Sequence, residues 1–489
     1  MTSLAIAWLL LPFLLAFAAI LLPRFGWALS LGMCTLSLLA GLATASTALP
    51  LALLLSGRYG VSLLLDGFSA PFLLLNALVC GAVVLESRSR QRTGSFWLVL
   101  LLLHGGINSA LVCHDLISLY VALEVVGIAS FLLISEPRTL KTIWIALRYL
   151  LVGSTALLFY LIGAAEIFRG SGSFAFESLG TAPVGALALL LIGLLTKSGL
   201  FLSGLWLPRT HAEAPAEVSA LLSGVVITAG AAPLVRVSTF SSPLASTVLW
   251  FGLASALLGL IFALLETDVK RLLAWSTVSQ MGLVVLSPAT AGLFALGHGV
   301  AKASLFLVAR RFPSRRLDSW SQTPLPTGVW LPMQLASLSI AGCPLLVGYL
   351  AKDLLQARLT GGVALLVMGL SVGTAAVYAR LWESPLAWST HQASSNAPSG
   401  GGVTLLILAL MLSNGLGILA TDQIPWAVAF SAEALLKAIA VLGAGWIVHR
   451  LLTPWRAVVA LPDLEGFDDL IGGMGIVGTG LVLFLRLAA

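Results

Sequence analysis

The chain has 489 residues, of which 59% are hydrophobic and only 9% charged, against about 25% charged in an ordinary water-soluble domain. Polar surface this sparse excludes a soluble globular protein and specifies an all-α polytopic membrane protein. The net charge of +6 does not indicate a nucleic-acid partner, because the basic residues stand singly or in short groups at the ends of apolar runs.

The first apolar run, 3–22, lacks a basic start and a small-residue cleavage site, so it reads as a retained span rather than a signal peptide. Segments of about 20 apolar residues, enough to cross a bilayer, continue at 28–56, 67–86, 95–113, 116–135, 143–167, 184–203, 217–239, 245–266, 271–287, 290–309, 330–349, 362–382, 403–421, 432–449 and 471–487. Several are short or interrupted, which gives about 14–16 transmembrane helices. The longest polar stretch, Glu383 to Gly402, is too short for a soluble domain. Cys34, Cys80, Cys113 and Cys343 lie in or beside apolar segments without paired spacing and read as apolar fillers. Lys and Arg gather in alternate loops, among them Arg88, Arg90 and Arg92, then Arg138 and Lys141, then Lys270 and Arg271, then Arg310, Arg311, Arg315 and Arg316. That alternation places these loops in the cytoplasm and the N-terminus outside.

Ionisable groups at membrane depth are the candidates for chemistry. In HDLISLYVALEVVGIASFLL, Asp115 belongs near a water interface, whereas Glu124, about two and a half turns on, lies well inside the span. Lys197 sits in the apolar run LLTKSGLFLSGLWLPRTHAEAPAEVSALLSG, and Pro208 and Pro215 follow it. Proline breaks or kinks an apolar helix, and a broken helix carrying a charge points to an ion path. Lys197 is the natural partner for Glu124, either in a static pair or in one that changes protonation. His211, with Glu213 and Glu217, follows the first proline and either lines a cavity at the break or forms a solvated loop cluster. Ser276, Ser279 and Gln280 form a polar stripe in DVKRLLAWSTVSQMG. His298 and Lys302, at i and i+4 in HGVAKASLF, share a helix face; they suit a hydrated relay, or the lysine snorkels. AGCPLLVGYLAKDLL repeats the theme, with Gly342, Pro344 and Gly348 around the charged pair Lys352 and Asp353. No phosphate loop, nucleotide fingerprint or iron–sulfur cysteine cluster is present. The sequence therefore suggests no cofactor, no metal and no active site of its own, and the driving energy comes from an ion gradient or a partner.

On HDLISLYVALE, the KSG…WLPRTHAEAPAEVSALLSG stretch, DVKRLLAWSTVSQMG, HGVAKASLF and GCPLLVGYLAKD, the chain resembles the antiporter-like proton-translocating membrane subunits. Those occur in respiratory complex I, its photosynthetic relatives and the Mrp-type multisubunit cation/proton antiporters. The wording of WLPRTHAEAP…VSALLSGVV is closer to the D subunit of the Mrp type. The resemblance implies two inverted five-helix repeats, at 95–239 and 245–382, each containing a broken helix, flanked by terminal helices at 1–94 and 383–489. It also implies a midplane chain of charged groups, with Glu124 and Lys197 as the first-half pair and His298 and Lys302 as the second-half relay. One position departs: Thr228 stands where the family has a lysine, and threonine carries no proton charge. The implied function is proton translocation exchanged for sodium or another monovalent cation, with other hydrophobic antiporter subunits as partners, in a bacterial plasma membrane or a thylakoid. The rival readings are a proton-pumping subunit of a complex I-type quinone oxidoreductase and a non-conducting structural subunit.

Overall fold

The computed structural model describes residues 2–47, 50–55, 59–90, 92–387, 400–420, 431–457, 459 and 461–488. Most of the polar stretch after Glu383 lies outside them. Helices α1 (Thr2–Leu21), α2 (Gly26–Ser46), α3 (Ala70–Ser87) and α4 (Gly94–Val112) form the N-terminal group. The helix expected over 28–56 ends at Ser46, and the residues beyond include β1 (Leu51–Leu54), which pairs antiparallel with β2 (Ser62–Leu65). Asp115 accounts for that hairpin's position: its carboxylate accepts from the Ser62 and Ser118 amides, both at 2.7 Å. It thereby caps α5 (Leu116–Ser135), a structural use of a short acidic side chain at a helix start.

After α6 (Leu140–Ser171), α7 (Val184–Lys197) stops inside the membrane, and α8 (Leu207–Glu213) resumes beyond a short turn at Phe201–Gly204. The apolar segment bends by 43° there. The break falls at Gly199 and Phe201, whose φ values are +65° and +49°, a conformation that glycine adopts freely and other residues resist. Pro208, which the sequence suggested as the breaker, instead sits in the first turn of α8, where a missing N–H leaves nothing unpaired. Next come α9 (Ala216–Leu221), a π turn at Leu222–Val226, and α10 (Ile227–Ser238), every residue of which is buried.

The second half runs through α11 (Ser242–Leu265), α12 (Val269–Val284), α13 (Pro288–Ala309), α14 (Thr327–Ala341), α15 (Val347–Ala357) and α16 (Gly361–Trp382). Between α14 and α15 the chain breaks again, at Gly342 (φ +95°) and Leu345 (φ +74°). Helices α17 (Gly401–Ala420), α18 (Ala432–Leu452) and α19 (Phe467–Ala488) complete the described chain. Each of the sixteen expected segments contains a helix; among the described residues twelve helices are long and apolar enough to cross a membrane alone, and the bent pair across Gly199 adds a thirteenth. Helices α10 and α13 form the core. Helices α1 and α18 lie at the rim, with large apolar side chains such as Leu14, Phe17, Leu436 and Ile439 exposed, as lipid or partner helices require.

One face concentrates ion pairs: Arg90–Glu217, Lys141–Glu213, Arg271–Glu465 and Arg315–Asp268, each at 2.7 Å. This arginine-rich face is the one formed by the loops the sequence assigns to the cytoplasm. The opposite face carries the hairpin and the bidentate Arg236–Asp66 pair, at 2.8 and 2.9 Å.

Candidate functional site

Lys197 is the last residue of α7, so its side chain leaves the helix at the break. Its ammonium lies in a slot between α5 and α6 that exists because two positions lack side chains. A Cβ on Gly127 would stand 2.9 Å from Lys197 Nζ, and one on Gly153 3.1 Å. Glu124 lies three residues before Gly127, on the same face of α5. It is half-buried, and its Oε2 accepts from Ser154 Oγ on α6 at 3.4 Å. The structure thus brings Glu124 and Lys197 to one crevice without joining them in a direct ion pair.

Lys302 is fully buried in α13. Its ammonium donates to the Leu273 carbonyl at 2.6 Å and to Ser276 Oγ, both on α12. Ser276 Oγ is also 2.8 Å from the Tyr378 hydroxyl on α16, whose ring lies 5.5 Å from the ammonium. The polar stripe read from sequence therefore divides its labour. Ser276 contacts the lysine, Gln280 donates to Thr374 at 3.2 Å, and Ser279 donates to the Ala256 carbonyl at 2.8 Å to tie α12 to α11.

His298 lies one turn before Lys302, and its neighbours among ionisable groups are Lys302 and His211. Both imidazoles are buried, and among the described residues none of their four ring nitrogens makes a hydrogen bond of ordinary geometry. His211 packs between the rings of Trp206 and Phe306, with centroids 6.0 and 6.1 Å away. Glu213 and Glu217 do not join it. Two residues along a helix rotate by about 200°, and Glu213 turns outward to Lys141 and Arg315, while Glu217 meets Arg90 and Arg310. These carboxylates belong to the ion pairs of the arginine-rich face.

Thr228 is buried in α10 just after the π turn, and its hydroxyl donates to the Val225 carbonyl at 2.7 Å. The nearest polar contact on the turn is Ser223 Oγ with Thr277 Oγ1, at 2.8 Å. Lys352 follows the second break and donates back across it to the Ala341 carbonyl at 3.3 Å. With Asp353, Tyr349 and Gln356 it lines a crevice that Lys437 of α18 also lines.

One pattern sets these lysines apart. Lys197, Lys302 and Lys352 form no ion pair among the described residues, whereas the carboxylates of the arginine-rich face are held mainly by arginines. Gly127, Gly153, Ser154, Tyr378 and Lys437 are additions that the structure makes to the sequence reading. A glycine or tyrosine in a membrane helix is ordinary, but Lys437 carries the same signal as the other lysines.

Comparison with known proteins covers the same stretch of chain. The sequence profile of the family described as NADH:quinone oxidoreductase/Mrp antiporter, TM matches residues 113–377. The N subunit of the NADH-quinone oxidoreductase of Desulforudis audaxviator is 30% identical over 77% of this chain and 85% of its own length. The D subunit of the Na(+)/H(+) antiporter of Alkalihalophilus pseudofirmus is 26% identical over 66% of this chain and 72% of its own. A chain in the structure of the Mrp complex from Dietzia sp. DQ12-45-1b superposes with a TM-score of 0.79 at 21% identity, over 98% of this chain and 59% of that one. The leaning of the WLPRTHAEAP wording toward the antiporter's D subunit is not matched by overall identity, which is no higher to the antiporter protein than to the oxidoreductase one.

Proposed function

This chain belongs to the NADH:quinone oxidoreductase/Mrp antiporter transmembrane family, and from that premise we propose that it conducts protons as one subunit of a multisubunit cation/proton antiporter. The observation that carries the reading is the set of lysines within membrane segments that have no counter-ion among the described residues. A cation stranded in a low-dielectric interior is costly, and it is relieved when its proton passes to a neighbour or to water. Three such lysines, each at or near a helix break or on a face shared with a histidine, suit a relay better than a scaffold.

In this relay Glu124 and Lys197 are the first-half pair. The slot beside Gly127 and Gly153 lets the ammonium approach or leave Glu124 without repacking a helix. His211 and His298 pass the proton between the halves, and Lys302 holds it against Ser276. Lys352 and Asp353 release it toward the crevice under α18. Thr228 carries no charge, so the histidines substitute for the family's central lysine. The halves 95–239 and 245–382 act as the two repeats, each with its own break. Positive-inside distribution supports an arginine-rich face turned to the cytoplasm of a bacterial plasma membrane or to the equivalent side of a thylakoid. The exchanged ion is sodium or another monovalent cation.

The test is proton flux in membrane vesicles carrying the whole complex, driven by an imposed cation gradient. Glu124→Gln keeps the shape and removes the charge, so assembly should persist while flux falls by at least about tenfold. Undiminished flux in that variant refutes the role of Glu124. The 30% identity to an oxidoreductase subunit favours a second reading, in which the same relay is driven by quinone reduction. Co-purification of iron–sulfur subunits with the chain would select it.

A further inference from the structure

Outside the lysine relay, a heavily engaged and buried carboxylate is Glu465, in the short segment Leu461–Gly466 that leads into α19. Its carboxylate is fully buried. Arg271 of α12 reaches it at 2.7 Å and Arg209 of α8 at 3.7 Å. Arg148 of α6, itself buried, donates to its backbone carbonyl. Asp463 takes a second bond from Arg209 at 3.0 Å, and Glu266, beyond α11, holds the far side of Arg271 at 2.8 Å. One buried residue thus touches helices from both halves of the molecule, α8 and α12 through its carboxylate and α6 through its backbone carbonyl, and each has a place in the relay. Helix α6 carries Gly153 and Ser154 beside Lys197 and Glu124, α8 is the half-helix beyond the first break, and α12 carries Ser276 beside Lys302. The helix that follows lies along the break itself: a Cβ on Gly473 would stand 3.1 Å from the Leu202 carbonyl in the turn, and one on Gly478 3.1 Å from Ile192 of α7.

We propose that Glu465 is a positioning residue for transport: its docking clasps α6, α8 and α12 together and holds α19 against the break after Lys197, and taking up or losing one proton sets how firmly the clasp closes. The inference rests on the transport reading for its purpose but not for its physics. Burial pushes the Glu465 carboxyl up from its ordinary range to about 7, against the pull of Arg271, Arg209 and Arg148 and with Asp463 adding to the push. The sign follows. A docked segment whose carboxyl is raised holds the proton more tightly than the undocked one. Docking is therefore firmest below the ordinary carboxyl range, weakens as pH rises, and has lost this contribution once pH passes about 7. An acid cytoplasm would tighten the clasp and restrain the break, while a neutral or alkaline one would free it.

The test is backbone hydrogen exchange of residues 198–206 in the purified complex, corrected for the intrinsic pH dependence of exchange. In the wild-type protein, opening of the break should rise by up to about tenfold per pH unit between roughly 5 and 7 and then level off, the slope expected for one proton. Glu465→Gln, neutral at every pH, should abolish that rise. If that variant fails to assemble, Arg209→Gln serves. Removing a facing cation favours the protonated carboxyl, so the levelling point should move above 7. The same pH dependence in the wild-type and Glu465→Gln complexes, or an unmoved levelling point in Arg209→Gln, overturns the clasp. Exchange needs no ion flux, so normal flux in Glu124→Gln would defeat the transport reading while leaving this result to be judged on its own.

Discussion

At the scale of single residues, the proposed relay would depend as much on absent side chains as on charged ones. Gly127 and Gly153 leave the slot in which the Lys197 ammonium lies, and a methyl group at either position comes within 2.9 or 3.1 Å of it. The lysine head is flexible and can withdraw, so Gly127→Ala does not threaten the fold. Alanine in a helix interior is in fact favoured over glycine by up to about 1 kcal/mol. Withdrawal does spoil the approach to Glu124, and misplacing a transfer partner by about 1 Å costs up to about a hundredfold in rate. The expected outcome is an unchanged or slightly raised thermal midpoint together with proton flux reduced roughly tenfold; equal flux in vesicles would show that the slot has no part in transfer. This bears on what a sequence can reveal. Lys197, Lys302 and Lys352 are legible because charge inside an apolar run is rare and has few structural excuses. Gly127, Gly153 and Tyr378 are not, since their residue types recur in any membrane helix and only three-dimensional proximity distinguishes them. Arg148 and Lys437 are visible by the lysine criterion. Glu465 is not, because it sits in a polar connection where a carboxylate is unremarked until burial is seen.

At the scale of elements, the break after α7 is legible as an event but not at its position. Proline signals a broken helix, and the sequence holds Pro208 nearby, yet the chain turns at Gly199. That glycine adopts φ +65°, and Pro208 then starts the second half-helix. The two roles predict different costs. Gly199→Ala forces an L side chain into the left-handed region, at about 1–2 kcal/mol, and brings its Cβ to 2.6 Å from Leu207 Cδ1. Pro208→Ala removes only a residue suited to a first turn, so it should cost less. Thermal unfolding of the two purified variants should therefore rank Gly199→Ala as the more destabilised; the reverse order would return the break to the proline. The same reasoning explains why the apolar run overstates the length of α2. Residues 51–54 are as apolar as the helix before them, and their pairing with Ser62–Leu65 depends on Asp115, far along the chain, accepting the Ser62 amide.

At the scale of the whole molecule, composition alone establishes a polytopic helical membrane protein, and the spacing of apolar runs locates the helices. The asymmetry between faces has a physical cause as well as a topological use. Arginines that stay outside the bilayer can pair with carboxylates and knit the half-helices together, as Arg90 with Glu217 and Arg315 with Glu213 do, whereas Lys197, Lys302 and Lys352 have no counter-ion among the described residues. If basic loops remain in the cytoplasm, the arginine-rich face is internal and the hairpin face external. Two single cysteines test this in intact cells. Ser171 is exposed at the end of α6 on the hairpin side, and Ser319 is exposed beyond α13 among the arginines. The native cysteines supply little background, since three are buried and the fourth is only partly accessible. Ser171→Cys should react with a membrane-impermeant maleimide added outside. Ser319→Cys should react only after permeabilisation, because the bilayer shields everything on its far side. The reverse pattern would invert the protein in its membrane, and with it the direction of the proposed relay; labelling of both sites from outside would mean that the odd number of spans expected between them has been miscounted.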